Sequence, residues 1–263
     1  MKEALWYEKL ENKTVRCQLC PHGCAIKPGD RGICRVRENR GGKLFATNYG
    51  KAGGFAVDPM EKKPLYNFYP GSYVVSAGAR GCNFSCEFCQ NWQLARGESR
   101  ETDISPHSMI HVAERHQKTH DVVGLAYTYS EPFMWYEFVL DTSRLAEEAG
   151  LKNIMVTNGF VREKPLRRLL PHIDAMNIDV KGFTEEFYRE IIHGSLKPVL
   201  RTAEMAKESG CHVEITTLLI PGLNDSHGEL KQLVDWVSDS LGKGTPLHFS
   251  RYFPNHRMDI PAT

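Results

Sequence analysis

Cys82, Cys86 and Cys89 lie in the run Gly-Cys-Asn-Phe-Ser-Cys-Glu-Phe-Cys-Gln-Asn-Trp, residues 81–92. The Cys-x3-Cys-x2-Cys spacing suits one tight loop that turns three sulfurs toward a common centre. Four thiolates close the coordination of a cubane iron–sulfur cluster. Three leave one iron open, as catalytic metal sites keep a position for substrate or water. An open iron can hold a small molecule and pass it an electron. Zinc usually draws on paired Cys-x2-Cys knuckles, and a disulfide framework on an even set of cysteines. An electron-carrying ferredoxin needs a fourth cysteine nearby, and none lies between Cys89 and Cys211. Those three readings compete with a cluster that has one vacant iron, and the spacing favours the cluster.

A second set, Cys17-x2-Cys20-x3-Cys24-x9-Cys34, also has ligand-like spacing. Gly23, Gly29 and Gly32 permit the tight turns that would converge four sulfurs. Four cysteines make a closed site, so this set reads as structural or electron-relaying, with zinc or an auxiliary iron–sulfur cluster as the occupant. Free thiols are the plainer alternative. His22, in the Cys-Pro-His corner, reads first as a polar turn residue. Cys211 stands alone at a strand start and reads as a small packed residue.

These groups need elements to position them. From residue 72 the pattern alternates strand and helix. Strands are expected at 73–77, 122–127, 153–157, 175–180, 212–220 and 246–250. Helices are expected at 105–118, 132–149, 164–170, 184–192, 197–209 and 226–241. Such alternation implies a parallel sheet with right-handed crossovers, curled toward a barrel or wound as an open sheet. Parallel α/β folds place their chemistry where strands end. Here the first strand runs into the three cysteines. The second ends in Tyr127-Thr-Tyr-Ser-Glu-Pro132, the third in Thr157-Asn-Gly159 and the fourth in Asp179-Val-Lys181. The fifth carries Glu214, Thr216 and Thr217. Each group alone could be a helix cap or turn. Together they predict one polar rim beside the cysteine triplet.

Ahead of this unit, residues 1–71 form a Cys-rich segment with strand-like pieces such as 43–47. It ends in a stretch, 58–71, that three prolines mark as an extended linker. The expected division is 1–71 and 72–263. The net charge of +1 argues against general nucleic-acid binding. Charge is uneven: residues 1–70 hold 13 Lys+Arg against 7 Asp+Glu, the remainder 20 against 25. A solvated surface explains this, and a basic docking face including Glu61-Lys-Lys63 is the sharper reading. No apolar run approaches the roughly 20 residues of a membrane span. With no secretory h-region at the start and eight cysteines, the expected setting is a reducing cytoplasm.

Residues 72–250 resemble the core of radical SAM enzymes, which bind S-adenosylmethionine (SAM). The cysteine loop matches down to the aromatic Phe88 before the last cysteine. Ser130-Glu131-Pro132 resembles the family's Gly-Gly-Glu-Pro stretch, with Tyr129 and Ser130 in place of the glycines. Thr157-Asn158-Gly159 and Asp179-Val180-Lys181 resemble segments of pyruvate formate-lyase activating enzymes. Cys17–Cys24, Gly32–Arg35, Asp58–Pro64 and Asn177–Lys181 together resemble the AmmeMemoRadiSam-system radical SAM enzymes, over nearly the whole chain. Relatives of that type run on past the Arg-Tyr-Phe-Pro region with a cysteine-bearing tail, so the sequence reads as a short form or a fragment.

The resemblance implies a partial (β/α)6 TIM-like barrel, a 4Fe-4S cluster on Cys82, Cys86 and Cys89, and reductive cleavage of SAM to a 5′-deoxyadenosyl radical. It implies that Phe88, Ser130, Glu131, Thr157, Asn158, Asp179 and Lys181 line the SAM pocket. Glu131 would accept from the SAM ammonium, Lys181 would pair with a carboxylate, and Phe88 and Trp92 would pack near the adenine. It further implies a reducing partner such as flavodoxin or ferredoxin, and a polypeptide substrate of the glycyl-radical-enzyme type. A small-molecule substrate is the alternative, and a non-catalytic electron carrier the reading from a different class.

Overall fold

The computed structural model describes residues 1–97 and 99–263. A seven-stranded sheet forms its centre. β1 (Gly54–Pro59) runs antiparallel to β2 (Tyr73–Gly78). β3 (Val122–Tyr127), β4 (Lys152–Thr157), β5 (Ala175–Asp179), β6 (His212–Leu219) and β7 (Leu247–Arg251) follow in order, each parallel to the strand before it. Five helices make the crossovers: α1 (Pro106–His116), α2 (Tyr136–Glu148), α3 (Glu163–Leu169), α4 (Leu196–Glu208) and α5 (His227–Trp236). The sheet ends at β1 on one side and β7 on the other, which makes it the expected partial barrel.

Local sequence explains the elements. The parallel strands are rich in Val, Ile and Ala and buried on both faces, as helix-covered parallel strands must be. Val74, Val75, Ser76 and Ala77 are all fully buried. Helix starts follow capping chemistry. Ser105 and Ser108 form a reciprocal capping box with Pro106 at the first turn. Ser226 Oγ accepts from the Glu229 amide at 3.3 Å. The stretch expected to be helical over 132–149 opens as a 3-10 turn, Pro132–Trp135, before α2 begins. The Glu131 carboxylate accepts from the Phe133 amide at 2.9 Å and holds that tighter turn.

The expected linker at 58–71 is a structural part of the barrel. Its start completes β1, and Met60–Lys62 forms a 3-10 turn. Met60 and Leu65 then pack against Val74, Ala126, Ile154 and Ala175, one residue from each of β2 to β5. Prolines do oppose helix here, but these two apolar side chains fill the inner face of the sheet. Lys63 is not on a docking surface: it is 1% exposed, and its Nζ donates to Asp58 Oδ2 at 2.6 Å.

Residues 1–52 form short antiparallel strands. Lys2–Glu3, Lys43–Ala46 and Arg37–Arg40 make one sheet; Tyr7–Lys9, Val15–Cys17 and Ala25–Ile26 make another. This layer is fixed to the barrel by a buried ion pair, Arg37 Nη1 to Glu137 of α2 at 2.7 Å.

Candidate active site

The cysteine loop leaves β2 through Gly81, whose φ is 109°. A Cβ there would stand 2.7 Å from the Val36 side chain, so glycine is required on both steric counts. Beyond it, the Phe84 amide donates to the Cys82 sulfur at 3.4 Å, and Asn158 Nδ2 lies 3.7 Å from the same sulfur. Cys86 is buried, while Cys82 and Cys89 are half-buried; all three are free thiols. Burial pushes Cys86 up to about 12, against the pull of Lys181. Neutral thiols at this place become good ligands only when a metal or cationic neighbour favours the thiolate.

Glu131 is the centre of the polar rim. It is 2% exposed. Its Oε1 accepts from Thr157 Oγ1 at 2.7 Å and from the Phe133 amide at 2.9 Å, and its Oε2 accepts from the Asn158 amide at 2.8 Å. Burial raises it to about 7 against those three donors. One carboxylate thus ties the end of β3 to the end of β4. Asn158 continues the chain of contacts, donating from Nδ2 to Asn83 Oδ1 at 2.9 Å within the cysteine loop. Ser130 Oγ donates to the Ala79 carbonyl. Tyr129 has φ 69°, a conformation that suits the glycine it replaces. Its side chain offsets the strain: the hydroxyl donates to Asp58 at 2.8 Å, and the ring lies under Lys63 Nζ at 5.1 Å.

At the end of β5, Lys181 Nζ donates to Asp179 Oδ2 at 2.9 Å. Burial opposes the Lys181 charge, but Asp179 and Cys86 outweigh it and hold the ammonium well above its usual range. The same charge favours the Cys86 and Cys89 thiolates against burial. The Lys181 amide donates to the Tyr188 hydroxyl at 3.0 Å. Asn224 Nδ2 donates to the Lys181 carbonyl at 2.7 Å and to the Leu218 carbonyl at 2.8 Å. Asn83, Tyr188 and Asn224 were not singled out by their sequence. Asn224 follows Pro221-Gly222, a turn signal, but its partner lies 43 residues away.

Ser130, Glu131, Thr157, Asn158, Asp179 and Lys181 are thus drawn around the cysteine triplet. Glu214 is the exception to the predicted rim. It sits early in β6 opposite Asn177 and accepts from the Asn67 amide and from His248, at 2.8 and 2.6 Å. Its role is to hold the segment that fills the barrel. Phe88 is buried and stacks on Phe187 with centroids 6.5 Å apart, and Trp92 stacks on His256 at 5.0 Å.

The donor set fits a cluster with one open iron. Three thiols share one loop, the Phe84 amide and Asn158 reach the Cys82 sulfur, and a hydrogen-bonded polar rim stands alongside. Among the described residues no three His, Cys, Asp or Glu side chains are gathered closely enough for one metal ion. Fold and site together describe a parallel α/β barrel with a cysteine triplet beside a polar rim. The sequence profile of the Radical SAM superfamily matches residues 78–236, and the chain belongs to that superfamily. It is 45% identical to an uncharacterized protein of Methanocaldococcus jannaschii, covering 100% of this chain and 78% of that protein. It is 25% identical to the pyruvate formate-lyase 1-activating enzyme of Escherichia coli K12, over 61% of this chain and 66% of that enzyme. The structure of Streptococcus suis SuiB bound to S-adenosylmethionine shares the fold. Its TM-score is 0.54 at 15% identity, covering 68% of this chain and 41% of SuiB. The chain thus spans just under two thirds of the activating enzyme and under half of SuiB.

Proposed function

We propose that this radical SAM enzyme cleaves SAM reductively and takes hydrogen from a polypeptide, in the manner of glycyl-radical-enzyme activation. The observation that carries the reading is the convergence of Glu131, Asn158 and Lys181 on the loop of Cys82, Cys86 and Cys89. Cys82, Cys86 and Cys89 would hold a 4Fe-4S cluster, which when bound would supply the one-electron reduction of SAM from which methionine and a hydrogen-abstracting 5′-deoxyadenosyl radical come. The chain's own residues orient and shield. Asn158 and the Phe84 amide stabilise charge on the Cys82 sulfur. Lys181 contributes a fixed cation beside Cys86 and Cys89, and Asp179 holds it in place. Glu131 fixes the Thr157–Asn158 turn and presents a carboxylate of adjustable charge to the SAM ammonium. No side chain is needed as a general base. An external one-electron donor of flavodoxin or ferredoxin type and a cytoplasmic setting complete the reading. Among the described residues no helix is long and apolar enough to cross a membrane.

The polypeptide assignment is supported by the resemblance to the activating enzyme. The test is anaerobic. Reconstituted protein, dithionite and SAM should yield 5′-deoxyadenosine. Cys86→Ala should abolish that product, and Cys20→Ala should retain part of it; equal loss in both would refute this division of labour. Deuterium from an α-deuterated glycine in a candidate polypeptide should then appear in the product. If 5′-deoxyadenosine forms without deuterium from any such polypeptide, a small-molecule substrate replaces the polypeptide.

A further inference from the structure

We infer that Cys17, Cys20, Cys24 and Cys34 form a second site, a closed iron–sulfur cluster held by four thiolates, their sulfurs lining one cavity without being gathered around a single-ion position. The four cysteines line one small cavity together with Ile26 and Arg37. They come from a strand, two turns and a loop that the Cys17–Cys24 backbone bond draws together, the Cys17 amide donating to the Cys24 carbonyl at 2.9 Å. Gly23, with φ 57°, supplies the left-handed turn just before Cys24.

A further observation, the side chain of Arg37, points to an anionic sulfur centre here. It is 2% exposed, and its Nη1 donates to Glu137 Oε1 at 2.8 Å. Its Nε lies buried without an acceptor, and the side chain lines the cavity beside the four cysteines. A buried N–H left without a partner is costly. Neutral thiols are weak acceptors; metal-bound thiolates carry negative charge and meet the guanidinium directly.

The site also braces the catalytic loops. Arg162 Nε donates to the Cys20 carbonyl at 3.1 Å, and the Arg162 amide donates to the Leu19 carbonyl at 3.0 Å. His22 Nε2 meets the Asn83 carbonyl at 2.8 Å. Iron with sulfide is the chemistry the site would take, since a cluster spans sulfurs that are not gathered around one ion. The inference stands whether or not the chain cleaves SAM.

The test uses the full chain with Cys82→Ala, Cys86→Ala and Cys89→Ala, grown with both iron and zinc, and read by elemental analysis, native mass spectrometry and visible spectroscopy. About four irons with matching sulfide should remain per chain, with cluster absorption. Zinc in their place, or a folded variant free of both metals, overturns the cluster. In the wild type, Cys24 is the informative thiol because it is only half-buried. It should resist alkylation until a chelator removes the metal. Equal alkylation before and after chelation also overturns the site.

Discussion

Glu131 shows how a residue can be recognised in sequence while its environment is not. Its place before Pro132 marks it as a site residue, but Thr157 and Asn158 are 26 and 27 positions further on. Those donors and its burial are tertiary facts. They set a pH dependence with a definite sign. Burial raises Glu131 from 4.5 to about 7, so the folded chain holds this proton more tightly than the unfolded one. The stabilisation is complete below pH 4.5 and is lost as pH rises through 7, a difference of about 3 kcal/mol for one buried group. Urea unfolding of the metal-free chain at pH 5 and pH 8 should show that loss, and Glu131→Gln should lack it. An identical difference in the variant would contradict the assignment. Tyr129 teaches a related point. Its sequence departs from a glycine pair, yet the backbone keeps φ at 69° because Asp58 and Lys63 receive the side chain.

At the scale of elements, strand and helix order were legible, because buried parallel strands and capped amphipathic helices write strong periodicities. The errors fell where tertiary packing outweighs local signals. Residues 58–71 carry three prolines and no periodicity, so they read as a linker; Met60 and Leu65 in the barrel interior make them structural. Glu214 lay on a strand expected to feed the rim, but its position in β6 sends it to the amides of Tyr66 and Asn67. The loop after β6 is joined to the loop after β5 through Asn224, which is 1% exposed. Its side chain makes three bonds, to Ile220, Lys181 and Leu218. Asn224→Ala should cost about 2 kcal/mol, the price of leaving buried backbone groups unpaired. Denaturant unfolding will measure it. A loss below a few tenths would mean that the two loops hold each other without Asn224.

At the scale of the whole molecule, the N-terminal layer and the barrel share one interface. Arg37 and Glu137 are 2% and 1% exposed and 100 residues apart. Removing one partner of such a pair leaves an uncompensated buried charge and typically costs 3–5 kcal/mol. Arg37→Met should show a loss of about that size in denaturant unfolding, and the double change with Glu137→Leu should recover much of it. Failure of the double change to recover stability would show that Arg37 serves chiefly the cysteine cavity, whose wall it also forms.

The sequence by itself determined the chemistry-bearing set. Cysteine spacing is a covalent fact, and a loop of eight residues from Cys82 to Cys89 needs no distant partner to gather three sulfurs. The order of strands and helices along the chain from residue 72 followed from local hydrophobic pattern, while crossover handedness left a barrel and an open sheet both possible. Only the tertiary structure decided which groups meet. Burial, partner identity and charge environment depend on contacts between segments far apart in the chain. That is why Glu131 near 7, the Lys181 cation held by Asp179, and the unpaired Nε of Arg37 beside four cysteines became visible only after folding.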